Sequence, residues 1–181
     1  MIETCKSYIT YRGKETIWSQ DRSVVRTKLS NCIKLNHIYR ETYYNVREQP
    51  FLPDQTPFGF SENFVFGKFD TFCDRLSKIL SMFNLIDDYN HLFERRLEGL
   101  LLGEALEEAM GTFDEAKKVI LSKKYDYLDH RNAEFNADYQ LFMDKTDALK
   151  ESVGEMIESN FDSVWETPQC IRFLIRFEKV F

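Results

Sequence analysis

The sequence predicts an all-α protein, an elongated bundle of at least four helices with two of them long. Three observations carry this expectation. Apolar residues recur at steps of three and four through most of the chain, the spacing of one helical face. Only 7 Gly and 4 Pro punctuate 181 residues, too few for the many turns of a sandwich or barrel. Three of those prolines, Pro50, Pro53 and Pro57, sit in one short stretch, which bars regular helix there and leaves the rest of the chain free to form it. A chain of this length makes one domain or two small pieces. Its 43 % hydrophobic and 30 % charged residues suit a buried core under a solvated surface.

Before the prolines, Val25, Leu29, Cys32, Ile33, Leu35, Tyr39, Tyr43 and Val46 share a stripe. They predict a helix from about Thr16 to Gln49, roughly 50 Å long at 1.5 Å per residue. Residues 1–49 are thus read as an N-terminal long helix, 50–60 as a proline-rich connector and 61–181 as a helical bundle. Ser61 or Asn63 can cap a second helix carrying Phe66, Phe69, Phe72, Leu76, Ile79 and Phe83. Asp87-Asp88 offers an acidic start for a third, from about Asp88 to Lys123, with Gly111 as a candidate break. Gly99-Leu-Leu-Leu-Gly103 has the small-residue spacing of a close helix crossing, and the flanking Glu98 and Glu104 set aside its membrane version.

Tyr125-Asp-Tyr-Leu-Asp129 reads as a connector. From Asn132 a fourth long helix follows, striped by Phe135, Tyr139, Phe142, Leu149, Val153, Met156 and Phe161. Thr167-Pro168 is a helix start, a capping hydroxyl before a proline in the first turn. Eight of the thirteen residues after Pro168 are apolar, too wide a stripe for a surface helix, and Phe181 carries no stop signal. The core is therefore expected to continue beyond Phe181, and the isolated chain to self-associate.

Charge narrows the function. Residues 1–60 hold nine Lys/Arg against six Asp/Glu, net +3, while 61–181 hold fifteen against twenty-four, net −9. A nucleic-acid reader needs a concentrated basic face to displace counterions, and anionic lipid asks the same, so neither partner is expected. No apolar run approaches the ~18 residues of a membrane span, and the N-terminus lacks the order of a signal peptide.

Catalytic motifs are missing too. The Gly-Lys pairs, Gly13-Lys14 and Gly67-Lys68, lack the earlier glycine of a phosphate-binding loop and are followed by Glu15 and Phe69. Three histidines, with one Asp88-x-x-His91 step, cannot supply the paired Glu-x-x-His sets of a dimetal bundle. No Gly-x-Ser-x-Gly turn occurs. Cys5, Cys32, Cys73 and Cys170 lie far apart in sequence, without a CxxC pair, and read as reduced, partly buried thiols. No catalytic, cofactor-binding or metal-binding residue is assigned. On these grounds alone a free-standing helical adaptor, a binding module unrelated to any larger machine, stays open.

Two blocks carry a family resemblance. The first is Val65-Phe-Gly-Lys-Phe-Asp-Thr-Phe-Cys-Asp-Arg-Leu-Ser-Lys-Ile79. The second is Tyr125-Asp-Tyr-Leu-Asp-His-Arg-Asn-Ala-Glu-Phe-Asn-Ala-Asp-Tyr139, with Cys170-Ile-Arg-Phe-Leu-Ile-Arg-Phe-Glu178 further on. In this order and separation they resemble the N-terminal tail of dynein heavy chains, and look more like axonemal chains, of the outer-arm gamma type, than cytoplasmic ones. The residues that match are Phe66, Gly67, Phe69, Asp70, Phe72, Arg75 and Leu76, then Tyr125, Asp129, Arg131, Asn132, Phe135 and Asp138.

The resemblance implies a non-catalytic scaffold, because the motor ring and the microtubule-binding stalk of such chains lie far downstream. It implies intermediate chains, light chains or other heavy chains as partners, no direct microtubule contact, and a place in the cytoplasm and cytoskeleton, at the axoneme of a cilium or flagellum. In physical terms, Phe66, Phe69, Phe72 and Leu76 form a buried stripe and Gly67 admits a close neighbour. Arg75, a long guanidinium beside aromatics, is expected to brace a bundle joint through an acidic residue, Asp129 or Asp138, or through a carbonyl.

Overall fold

The structure, a computed structural model, describes residues 1–11, 16–48, 59–93, 103–164 and 168–178. Among them it is helical with no strand: α1 (Ile2–Thr10), α2 (Arg22–Glu48), α3 (Glu62–Leu92), α4 (Gly103–Leu121), α5 (Ala133–Val164) and α6 (Pro168–Phe177). At 1.5 Å per residue α2, α3 and α5 are about 40, 46 and 48 Å long. No helix of the described residues is long and apolar enough to cross a membrane.

Two helices, α1 and α2, occupy the segment expected to hold one. Helix α1 buries only Cys5 and Ile9 and ends where Tyr11 turns left-handed, φ 47°. Two buried positions four apart leave no periodic signal to read. Helix α2 starts at Arg22 rather than near Thr16 because Asp21 takes the cap, its carboxylate accepting from the Val24 amide at 3.1 Å. Ahead of it, Ser19 donates its amide to the Thr16 carbonyl in a turn, 3.2 Å.

Helix α3 opens on Ser61, whose hydroxyl receives the Phe64 amide at 3.3 Å. It does not restart at Asp87-Asp88. Phe83, Ile86, Tyr89 and Leu92 keep the buried stripe in step past the acidic pair, so the helix runs 31 residues unbroken. Gly111 does not divide α4 either. Nothing lies within 4 Å of where its side chain would be, and Leu106, Ala109, Phe113, Ala116 and Ile120 carry one buried stripe past it. Packing thus outweighs the ~1 kcal/mol a helical glycine costs. The fourth helix starts where expected, with Asn132 as its cap, accepting the Phe135 amide at 3.2 Å, and α6 begins on Pro168.

Residues 50–58 of the proline-rich connector, the Gly99-to-Gly103 crossing apart from Gly103 itself, and Thr167 of the expected cap lie outside the described residues. Of the apolar set after Pro168, the structure describes Ile171 and Ile175 as exposed and Leu174 as half-buried.

Two compact units emerge. Unit 1 joins Met1–Ser81 to the connector Asp126–Arg131, and unit 2 joins Met82–Tyr125 to Asn132–Phe181, so α3 supplies residues to both. Residues before the prolines therefore share a core with the beginning of the 61–181 segment. Unit 1 buries Ile9, Ile17, Val25, Leu29, Phe66, Phe72, Leu76, Ile79 and Leu128. Unit 2 buries Phe83, Tyr89, Phe113, Phe135, Phe142 and Val153, with α4 packed along α5.

Candidate functional site

The first matching block lies on α3 with its apolar members inward. Phe66, Phe72 and Leu76 are fully buried and Phe69 nearly so. Their spacing of three and four is the cause, since it sets them on one side of the helix. Gly67 is another matter. A side chain there would meet the Asn63 amide oxygen at 2.6 Å, the free end of a side chain one turn back. Its close neighbour is therefore on its own helix, not a second helix packed against it.

Arg75 is almost wholly buried, 2 % exposed. Its guanidinium donates to the carbonyls of Asp129 at 2.8 Å and Tyr127 at 3.3 Å. The carbonyl is thus among the expected partner types found. The Asp129 carboxylate instead receives the Arg131 amide at 3.1 Å, which, ahead of the nearby Arg131 guanidinium, holds it below the usual carboxylate range. Asp138 belongs to unit 2, where it accepts from the Tyr125 hydroxyl at 3.0 Å and pairs with Lys123 at 3.1 Å. The Asp138 hydrogen bond is the main cause that raises Lys123.

A buried arginine that ends on backbone carbonyls pins the path of the chain, because it depends on the connector's course and not on a side chain. Around it, Trp18 meets Tyr127 edge-on at 5.3 Å and His130 meets Phe72 at 5.9 Å. Burial pushes His130 down, against the pull of Asp129.

Asp70 binds α3 to α2. It accepts from Asn36 at 2.8 Å and from Arg40, whose other nitrogen reaches Glu62. Burial alone would raise the Asp70 carboxyl, but the hydrogen bonds from Arg40 and Asn36 outweigh it and hold it low. The Arg40 guanidinium also lies over the Phe66 ring, 4.6 Å from its centroid. Tyr39 and Tyr43 meet the same ring edge-on at 5.3 and 5.1 Å.

In unit 2, Tyr125 packs edge-on to Phe135 at 6.1 Å, and Phe135 is fully buried. Arg131, in unit 1, keeps its side chain 81 % exposed. The matching residues thus separate into an α3 set with Asp129 and Arg131, and a second set of Tyr125, Asn132, Phe135 and Asp138. Sequence reasoning missed Arg40 and Asn36. The one available signal was a basic and an amide residue four apart on the stripe side of α2, with the acidic partner thirty residues on.

The full length of the chain, residues 1–181, matches the family described as dynein heavy chain, N-terminal region 1. The chain belongs to that family.

Dynein axonemal heavy chain 5 of Rattus norvegicus is 33 % identical to it over 184 residues, which takes in 99 % of this chain and 5 % of the relative. Dynein axonemal heavy chain 8 of Homo sapiens is 32 % identical over 182 residues, 99 % of this chain and 4 % of its own. The dynein gamma chain of the flagellar outer arm of Chlamydomonas reinhardtii is 26 % identical over 182 residues, with the same coverage of 99 and 4 %. The chain therefore spans only a small part of the length of these relatives.

For a dynein heavy-chain region, the informative surface is the one its own core leaves uncovered. Helix α2 turns Val25, Leu29, Cys32 and Tyr43 inward, yet carries Leu35, Ile38, Tyr39 and Val46 exposed along a neighbouring strip, Ile38 at 58 %. Phe60 and Phe64 stack on each other at 5.6 Å, and Phe64 is 76 % exposed. Such strips on a helix whose core face is already satisfied are what a protein–protein contact uses.

Proposed function

We propose that this chain is a non-catalytic assembly segment of an axonemal dynein heavy-chain tail. It supports microtubule-based motility by scaffolding the association of intermediate and light chains, or of another heavy chain. The family membership and the axonemal names of its relatives support that reading. The observation that carries it is the exposed apolar strip of α2, a surface that a partner protein can cover. ATP hydrolysis and microtubule binding fall to other parts of the longer chain, and the site of action is the axoneme of a cilium or flagellum. Helix α2 itself carries six Lys/Arg against two Asp/Glu, so a partner seated on its strip is favoured by an acidic surface, while the net −9 of residues 61–181 favours a basic one for whatever meets that segment; either encounter is faster at low salt.

The test compares the full-length heavy chain with one that lacks residues 1–181, each purified with its complex. Loss of a stoichiometric subunit or of heavy-chain pairing is expected. Full stoichiometry in the deletion would reduce the segment to a passive spacer.

A further inference from the structure

A groove of about 420 Å³ runs through unit 2 between α4 and α5. Its depth comes from short side chains on two facing rows, Ala105 and Ala109 on α4 and Ala148 and Ser152 on α5, where packed helices ordinarily fill the space with larger ones. Leu149 and Ala109, both buried, make an apolar floor. The same rows continue past the groove to Val119, one helical turn beyond Glu115, and Leu141, one turn before Lys145, which are 46 and 49 % exposed. The connector 122–132 turns the chain straight back, so these two apolar residues fall at the same end.

The margins are acidic. Glu108 and Glu115 stand exposed on the α4 side and make no ion pair among the described residues. Together α4 and α5 hold thirteen Asp/Glu against four Lys/Arg, so these two helices carry the whole net −9 of residues 61–181 while the remainder of that segment balances. Every polar residue that lines the groove is exposed, Lys145 included, so the buried, convergent polar groups that hold a small ligand are missing from it. An apolar trough along two helices, edged by charge of one sign, has the form of a seat for a third helix.

We propose that the α4–α5 groove seats an amphipathic helix of a partner subunit, one with a narrow apolar stripe edged by Lys or Arg. The short lining lets that helix approach closely. Its apolar residues, three and four apart, lie over Ala109 and Leu149 and run on to Val119 and Leu141, while its cations meet Glu108 and Glu115. Charge selects this occupant. A second copy of the chain would bring the same acidic face, and anionic lipid or nucleic acid would be repelled in the same way. The groove adds a second surface to the one on α2, and it rests on the assembly reading only in needing a partner subunit.

The experiment places the photo-crosslinking residue p-benzoylphenylalanine at the exposed position of Ser152 in the full-length heavy chain, irradiates the assembled complex and maps the linked peptides by mass spectrometry. One dominant peptide is expected, from a subunit other than the heavy chain, with more Lys and Arg than Asp and Glu and with apolar residues three and four apart. Glu108→Lys with Glu115→Lys should lower its yield at least tenfold. Ala148→Trp, which fills the groove from an exposed position, should do the same by space instead of charge. Glu107→Lys, exposed on α4 but outside the groove, should leave the yield unchanged. The proposal is overturned if no cross-link forms, if the links stay within heavy chains, if the dominant partner peptide is acidic, or if the yield ignores both groove changes. Each of these results leaves α2 unaltered, so the role of its strip stands or falls on its own residues.

Discussion

In unit 1 the helices are tied by charged side chains, Arg40 to Asp70 and Glu62 across α2 and α3, and Arg75 to the Tyr127 and Asp129 carbonyls. In unit 2, beside the Lys123–Asp138 pair, stacked rings fill the interior. Tyr89 lies flat on Phe113 at 4.5 Å, Phe113 meets Phe142 at 6.2 Å, and the Tyr89 hydroxyl donates to the Thr146 carbonyl at 3.1 Å. Rings supply much apolar area with loose directional demands. A buried guanidinium is costly to desolvate and satisfied by one geometry, so it fixes how the chain runs more than it adds stability. Unit 2 is therefore held by area, and unit 1 is also held in register.

If so, the largest loss of stability should come from unit 2. Phe113→Ala removes the ring shared by Tyr89 and Phe142 and should cost about 3–5 kcal/mol, read as a lowered denaturant midpoint. Arg75→Met keeps the bulk but strands two carbonyls, and should cost about 2–3 kcal/mol. Its signature should be faster hydrogen exchange at Asp126–Arg131, which a mere loss of volume elsewhere would not produce. Tyr89→Phe keeps the stack and deletes one hydroxyl, so about 1 kcal/mol is expected by thermal unfolding.

The weakest of these effects is electrostatic. Asp70 in the folded chain titrates below its ordinary value, so the unfolded chain binds its proton more readily. The stability it contributes is present above the ordinary carboxylate range and is lost as pH falls through the lower folded value. Asp70→Asn should flatten part of the acid-induced loss in a pH series of unfolding midpoints, with little change near neutrality beyond a constant offset. An unchanged acid limb would detach Asp70 from the α2–α3 tie.

The all-α class and the long helices were legible because apolar residues repeat at three and four over many turns, as in α5 from Phe135 to Val153. The start near Asn132 was legible from the stripe that follows it, and that at Pro168 because a proline in the first turn is a local signal. Helix α1 was not, since only Cys5 and Ile9 mark it. Asp87-Asp88 and Gly111 misled for one reason: a local signal for a start or a break gives way when the buried stripe keeps step through it. The Arg75 joint was half legible. Aromatics around a long basic side chain pointed to a brace, but that it takes the carbonyls of Tyr127 and Asp129 depends on where the connector runs. The Arg40–Asp70 tie arises from packing between helices, and no spacing along the chain records it.

Assembly of a dynein tail through the uncovered face of α2 is best tested by charging that face. Leu35→Asp with Ile38→Asp, placed in the full-length heavy chain, alters two exposed residues, 43 and 58 % accessible, and spares the core stripe. Subunit stoichiometry of the purified complex is the quantity to measure, beside the circular dichroism of the 181-residue chain with the same changes. An unchanged helical spectrum is predicted, together with at least a tenfold loss of one bound subunit or of heavy-chain pairing. A complete complex on a folded, charged α2 would contradict the assembly role.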